Sequence, residues 1–78
     1  MSHPEPALTL YVIYANPRDY PGQFVVRAQR IRSNEIAVMK EPLAVTLTLE
    51  EARAAVPPGL YRMDRYEGDD AVIVETWL

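Results

Sequence analysis

The sequence predicts a single α+β domain in which an antiparallel sheet of four to five strands packs against one short helix. Three observations predict this fold. Several runs alternate with a period of two, the spacing turns helical once, after Thr48, and prolines and glycines separate the runs. A 78-residue chain buries only about 60% of the surface that its unfolded form exposes. One sheet under one helix suits so thin a core, and we place it at 7–78, after a flexible tail at 1–6.

The first two strands are predicted at 8–14 and 24–31. Residues 8–14 (LTLYVIY) are β-branched or aromatic and apolar on both faces, which favours a central strand. Residues 24–31 (FVVRAQRI) alternate as a half-buried strand until Arg30 and Ile31, where the slip predicts a bulge or a strand end.

Residues 35–49 contain two apolar runs separated by Lys40, Glu41 and Pro42. Because proline cannot donate to a ladder, the segment is either an edge strand or two short strands joined by a turn. Its second half alternates most regularly, with Leu43, Val45, Leu47 and Leu49 on one side.

A helix is predicted at 49–56. Thr48 and Glu51 form a capping-box pattern, and Leu49, Ala52 and Val56 make one apolar stripe. Two prolines and Gly59 then end the helix.

Beyond the helix we predict a short strand at 60–66, a turn at 67–70 and a final strand at 71–78. The element order is β-β-β-α-β-β, or β-β-β-α-β if 60–66 is irregular. Trp77 is expected in the core, with a dimer interface as the alternative.

Composition excludes several classes of chemistry. There is no cysteine for a disulfide or thiolate site, and the lone histidine, His3, lies in the tail. A Gly-rich phosphate loop and a Ser-His pairing are both missing, so we predict no catalytic, cofactor-binding or metal-binding residue and no cofactor. No leader or membrane-spanning stretch is recognisable, so the expected location is the cytoplasm, away from membranes.

A carboxylate- or metal-dependent enzyme remains an alternative. It would need acidic residues of the C-terminal part to converge: Asp64, Glu67, Asp69, Asp70 and Glu75. The simpler interpretation is a solvated turn, with Glu75 in a cross-strand ion pair with Arg62 or Arg27.

A second alternative is a small nucleic-acid-binding protein. It would use Arg27, Arg30 and Arg32 together with nearby tyrosines. The sequence pI of about 5.0 disfavours nucleic acid as the partner, since binders of nucleic acid usually carry a basic footprint.

The segment 16–23 (NPRDYPGQ) is long for a hairpin loop. Asn16-Pro17 predicts the start of a type I turn, and Tyr20-Pro21-Gly22-Gln23 predicts a type II turn. These turns explain the prolines and the glycine. They leave Arg18, Asp19 and Tyr20 as candidate partner-binding residues, beside the three arginines.

The preferred function is therefore a small non-enzymatic protein-interaction or accessory protein. The partner is another protein or a second copy of the chain, because a thin core gains most from extra burial. A homodimer is the expected assembly.

Three phrases also carry a resemblance: NPRDYPGQFVVR at 16–27, TLEEARAAVPPGL at 48–60 and DDAVIVETWL at 69–78. They resemble a family of short uncharacterised bacterial proteins, over most of the chain from about Leu10 onward. That resemblance implies no activity, cofactor or site.

Overall fold

A computed structural model describes residues 8–32, 35–65, 68 and 70–78. The predicted tail at 1–6 lies outside these residues. The elements in chain order are β1 (Leu8–Ala15), β2 (Phe24–Arg32), β3 (Glu35–Val38), β4 (Ala44–Thr46), α1 (Leu49–Ala55), β5 (Arg62–Asp64) and β6 (Ile73–Trp77).

The strands form one antiparallel sheet in the order β3-β2-β1-β6-β5, with β4 beside β2. The α+β class with a single helix is confirmed, and β1 is the central strand, as its two apolar faces predict. The predicted number of four to five strands is too low, because six form. The short strand expected within 60–66 is found as β5.

The additional strand arises at Pro42. Both β3 and β4 pair with β2, Gln29 opposite Val38 and Val26 opposite Ala44. Between these pairs, two residues of β2 face five residues of the edge segment, so Lys40, Glu41 and Pro42 bulge out of the ladder. The second option for this segment, two short strands, is therefore the correct one.

Of the two options predicted near Arg30 and Ile31, the bulge does not form and the strand end is found, since β2 ends at Arg32. Pairing between β1 and β2 runs without a break from Leu8 opposite Ile31 to Ala15 opposite Phe24. The irregularity lies instead between β1 and β6, where Ile13 pairs with Glu75 and Tyr14 pairs with Ile73. Arg30 breaks the apolar pattern because the helix is too short to cover its end of the sheet.

Helix α1 begins as predicted. The Oγ1 atom of Thr48 accepts a hydrogen bond from the Glu51 backbone N–H at 3.2 Å, and its hydroxyl donates to Oε1 of Glu51 at 3.0 Å. The helix ends at Ala55. Gly59 follows with a φ of +86°, a conformation that suits glycine.

The core lies between α1 and one face of the sheet. Ile13, Val26, Ala52 and Val56 form its buried centre. The predicted helix stripe is thereby confirmed, and Trp77 packs against this cluster from β6. The described part of the chain contains no helix with the length and apolar character needed to cross a membrane.

Candidate interaction surface

The side of the sheet opposite α1 has no helix packed on it among the described residues, although Val12 and Val25 on this side are buried, 3% and 0% exposed. We call it the helix-free face. Strand pairing assigns to it every second residue of each strand. These residues are Leu8, Leu10, Val12, Tyr14, Val25, Arg27, Gln29, Ile31, Ile36, Val38, Val45, Met63, Ile73 and Thr76.

This face collects most of the exposed large apolar side chains of the described residues. Leu8, Ile36, Val38 and Met63 belong to it by strand pairing and are 49–65% exposed. Leu43, Leu47 and Tyr61 flank β4 and β5, and we assign them to the same face by extending the alternation of these strands. The remaining exposed apolar residue, Met39, lies opposite Ala28 and therefore on the side of the sheet that the helix covers. Scattered exposed apolar residues are ordinary, but four of the eight are assigned to one face by strand pairing and three more by alternation, and such one-sided exposure is typical of an interaction site.

Three polar side chains on the helix-free face, those of Tyr14, Arg27 and Gln29, have partners within the fold. Arg27 is the only charged residue among its strand positions, and its guanidinium contacts Oδ2 of Asp19 at 2.6 Å. Gln29 donates to the hydroxyl of Tyr14 at 3.2 Å. A partner could therefore cover these groups without leaving a bare charge behind, which would cost several kcal/mol.

The loop 16–23 is closed by backbone hydrogen bonds. The Asn16 N–H donates to the Gln23 carbonyl at 2.8 Å, and the Tyr20 N–H to the Pro17 carbonyl at 3.0 Å. The first turn thus begins at Pro17, one residue later than predicted. The Gln23 N–H donates to the Tyr20 carbonyl at 3.3 Å and Gly22 has a φ of +76°, so the second turn forms at the predicted residues with glycine at the positive-φ position.

Asn16 fixes the entry to this loop. It has a φ of +54°, and its Oδ1 accepts from the Gly22 N–H at 2.7 Å. Among residues other than glycine, asparagine tolerates this left-handed conformation best.

We expect Asn16→Ala to lower the free energy of unfolding by about 1–2 kcal/mol, since it combines a strained φ with a lost hydrogen bond. Asn16→Gly should cost less, because glycine removes the strain and loses only the hydrogen bond. Urea unfolding of both variants checks this. Equal losses would mean that the conformation of residue 16 carries no cost.

Two of the three candidate loop residues, Asp19 and Tyr20, contact the sheet. Asp19 forms the ion pair with Arg27 described above. The Arg27 guanidinium carbon also lies 5.9 Å from the centroid of the Tyr20 ring. The hydrogen bond from Arg27 holds the pKa of the Asp19 carboxyl below its usual value. Asp19, Tyr20 and Arg27 thus hold the loop against the helix-free face, while Arg18 is exposed.

The three candidate arginines of β2 do not share one surface. Arg27 lies on the helix-free face, whereas Arg30 and Arg32 lie on the opposite face, opposite Ala37 and Glu35 of β3. The alternation of a strand separates residues at odd spacing in this way. The shared basic surface that the nucleic-acid alternative requires does not form.

Glu75 is buried, 2% exposed, and sits under the helix. Its carboxylate accepts two hydrogen bonds from Arg53, at 2.8 and 3.0 Å, and one from Nε1 of Trp77 at 2.7 Å. The predicted ion pair therefore exists, but its partner is Arg53 of α1 and not Arg62 or Arg27. Sequence reasoning considered only neighbouring strands, and it missed Arg53 because nothing in the spacing shows which strand the helix crosses.

Burial alone would raise the pKa of Glu75. The hydrogen bonds from Arg53 and Trp77 and the charges of Arg53 and Arg62 outweigh burial, so the pKa lies below its ordinary value. This carboxylate is engaged within the protein by Arg53 and Trp77.

The other acidic candidates are separated. Asp64 pairs with Arg62 on β5 at 3.6 Å, and Oδ1 of Asp70 accepts from the Val72 N–H at 3.2 Å. Glu67, Asp69 and His3 lie outside the described residues. Within 8–32, 35–65, 68 and 70–78, no three such side chains are grouped closely enough to hold a metal ion.

Comparison of the chain with protein-family models, with curated proteins and with solved structures finds no match. The resemblance to a bacterial family therefore stays a prediction, and the geometry of the surface carries the functional argument.

Proposed function

We propose that this protein is a small non-enzymatic interaction protein that self-associates through its helix-free face. The observation that carries the proposal is the one-sided distribution of exposed large apolar side chains: of eight, four are assigned to that face by strand pairing and three more by alternation.

The exposed apolar residues around β4, the strand that follows Pro42, indicate that a partner covers this part of the face. Leu43, Val45 and Leu47 show the cleanest alternation in the sequence, yet Leu43 and Leu47 are 52% and 72% exposed. The helix packs on the other side of β4, where Ala44 joins the core. Large apolar residues repeated at this period are typical of a face that becomes covered.

The charge of the helix-free face permits a second copy as the partner. In a two-fold dimer the same groups meet across the axis, so a face with net charge repels its own copy. The helix-free face carries Arg27 alone among its strand positions, and Asp19 neutralises it. Its neutrality is compatible with self-association.

Sedimentation equilibrium of the wild-type chain tests the proposal. We expect a mass of twice 8.9 kDa at micromolar concentration, and a thermal midpoint that rises with protein concentration, because association stabilises only the folded form. A monomer with a concentration-independent midpoint would contradict it and would leave a different protein as the occupant of the face.

A further inference from the structure

The opposite face of the sheet carries a concave site at the end of the β2–β3 pair. Its volume is about 220 Å³, and Arg30, Arg32, Glu35 and Ala37 line it. These residues are two cross-strand pairs on one face, Arg30 opposite Ala37 and Arg32 opposite Glu35. Helix α1 does not reach this end, since its contacts with β2 and β4 are at the other end of β2.

The two arginines point to an anionic ligand. They are two residues apart on one strand, so their Cα atoms lie about 6.6 Å apart and both side chains project from the same face. Both are exposed, and neither makes an ion pair with any described residue. Ala37 is small and leaves the space beside Arg30 open.

We propose that this site binds a phosphate group. The planar guanidinium donates paired hydrogen bonds to phosphate oxygens, and two of them on one side of a rigid strand pair can bind one phosphate together. The volume is sufficient for one such group with its water. Glu35, which pairs with Arg32 across the strands, repels the anion. With two arginines and one glutamate the site has a net charge of +1.

The site is separate from the surface proposed for self-association, because it lies on the other face of the sheet. A dimer formed through the helix-free face keeps both copies of the phosphate site open to solvent.

Titration of the full chain with inorganic phosphate at constant ionic strength tests the proposal. In ¹H–¹⁵N NMR spectra we expect saturable shifts of the Arg30 and Arg32 Nε–H signals and of backbone amides in β2 and β3. Arg30→Ala with Arg32→Ala should weaken binding at least about tenfold. Arg18→Ala is the matched control and should leave binding unchanged, since Arg18 is exposed on the loop.

Glu35→Gln is expected to change phosphate affinity in the opposite direction. Removing the carboxylate that faces the anion should tighten phosphate binding roughly threefold to tenfold. Glu41→Gln makes the same charge change outside the site and should have no such effect. Equal shifts at Arg18, equal binding of acetate, binding that survives loss of both arginines, or equal effects of the two Glu→Gln changes would each overturn the proposal.

Discussion

Glu75→Gln should lower the thermal midpoint by roughly 10 °C, which for a domain of this size corresponds to about 2 kcal/mol. The carboxylate is buried and accepts three hydrogen bonds, two from Arg53 and one from Trp77. An amide keeps the shape but has one acceptor oxygen, and its N–H₂ group faces other donors. The change therefore loosens the link between α1 and β6.

Asp64→Asn is the matched control. Asp64 lies directly opposite Glu75 on β5 and is paired with Arg62 at 3.6 Å, but its side chain is 85% exposed. Exposed ion pairs contribute little, so the same carboxylate-to-amide change should alter stability by less than about 0.5 kcal/mol. Calorimetry of both variants at one protein concentration measures the difference. Similar thermal midpoints of the two variants would show that the buried hydrogen bonds of Glu75 contribute no more to stability than the exposed ion pair of Asp64.

The same cluster predicts part of the acid sensitivity. Because the pKa of Glu75 is lower in the folded chain than its ordinary value, its contribution to stability is full above the ordinary pKa. It is lost as pH falls through the folded pKa. The stability difference between wild type and Glu75→Gln should therefore shrink when the pH is lowered from 7 into this acidic range.

Local chemistry predicted the local elements. The Thr48 cap, the helix stop before Gly59 and the glycine turn at Gly22 each follow from a backbone requirement that neighbouring residues satisfy. The alternation of β1 and β2 likewise predicted where strands form. These features depend on a few consecutive residues, so the sequence contains them directly.

The contacts between elements were less predictable. Arg53 meets Glu75 only because the helix crosses the sheet above β6, and no local pattern fixes that crossing. The sequence also did not determine which face of the sheet the helix covers, because the central strand β1 has apolar residues on both faces. The helix packs on the side of the smaller residue Ala44, where Ala52 can approach the sheet closely. Larger residues are left on the helix-free face.

That remaining face can be tested with two neighbouring residues. Val38 and Met39 are 50% and 49% exposed, but Val38 lies on the helix-free face and Met39, opposite Ala28, on the other. Val38→Lys should raise the dissociation constant of the proposed dimer by about 100-fold or more, because a two-fold interface receives two charges in an apolar setting. Met39→Lys should leave it within about threefold, since a charge outside the interface has little to desolvate.

Sedimentation at several concentrations gives both dissociation constants. Their comparison distinguishes a dimer formed through the helix-free face from a dimer formed by pairing of edge strands. Backbone pairing at an edge strand is nearly indifferent to which face a side chain occupies, so an edge-to-edge dimer would respond alike to the two lysines. Met63→Lys places the same charge at the far side of the helix-free face, on β5. If Val38→Lys and Met63→Lys both weaken association while Met39→Lys does not, the contact spans the face. If all three variants dimerise like wild type, the face is not the interface.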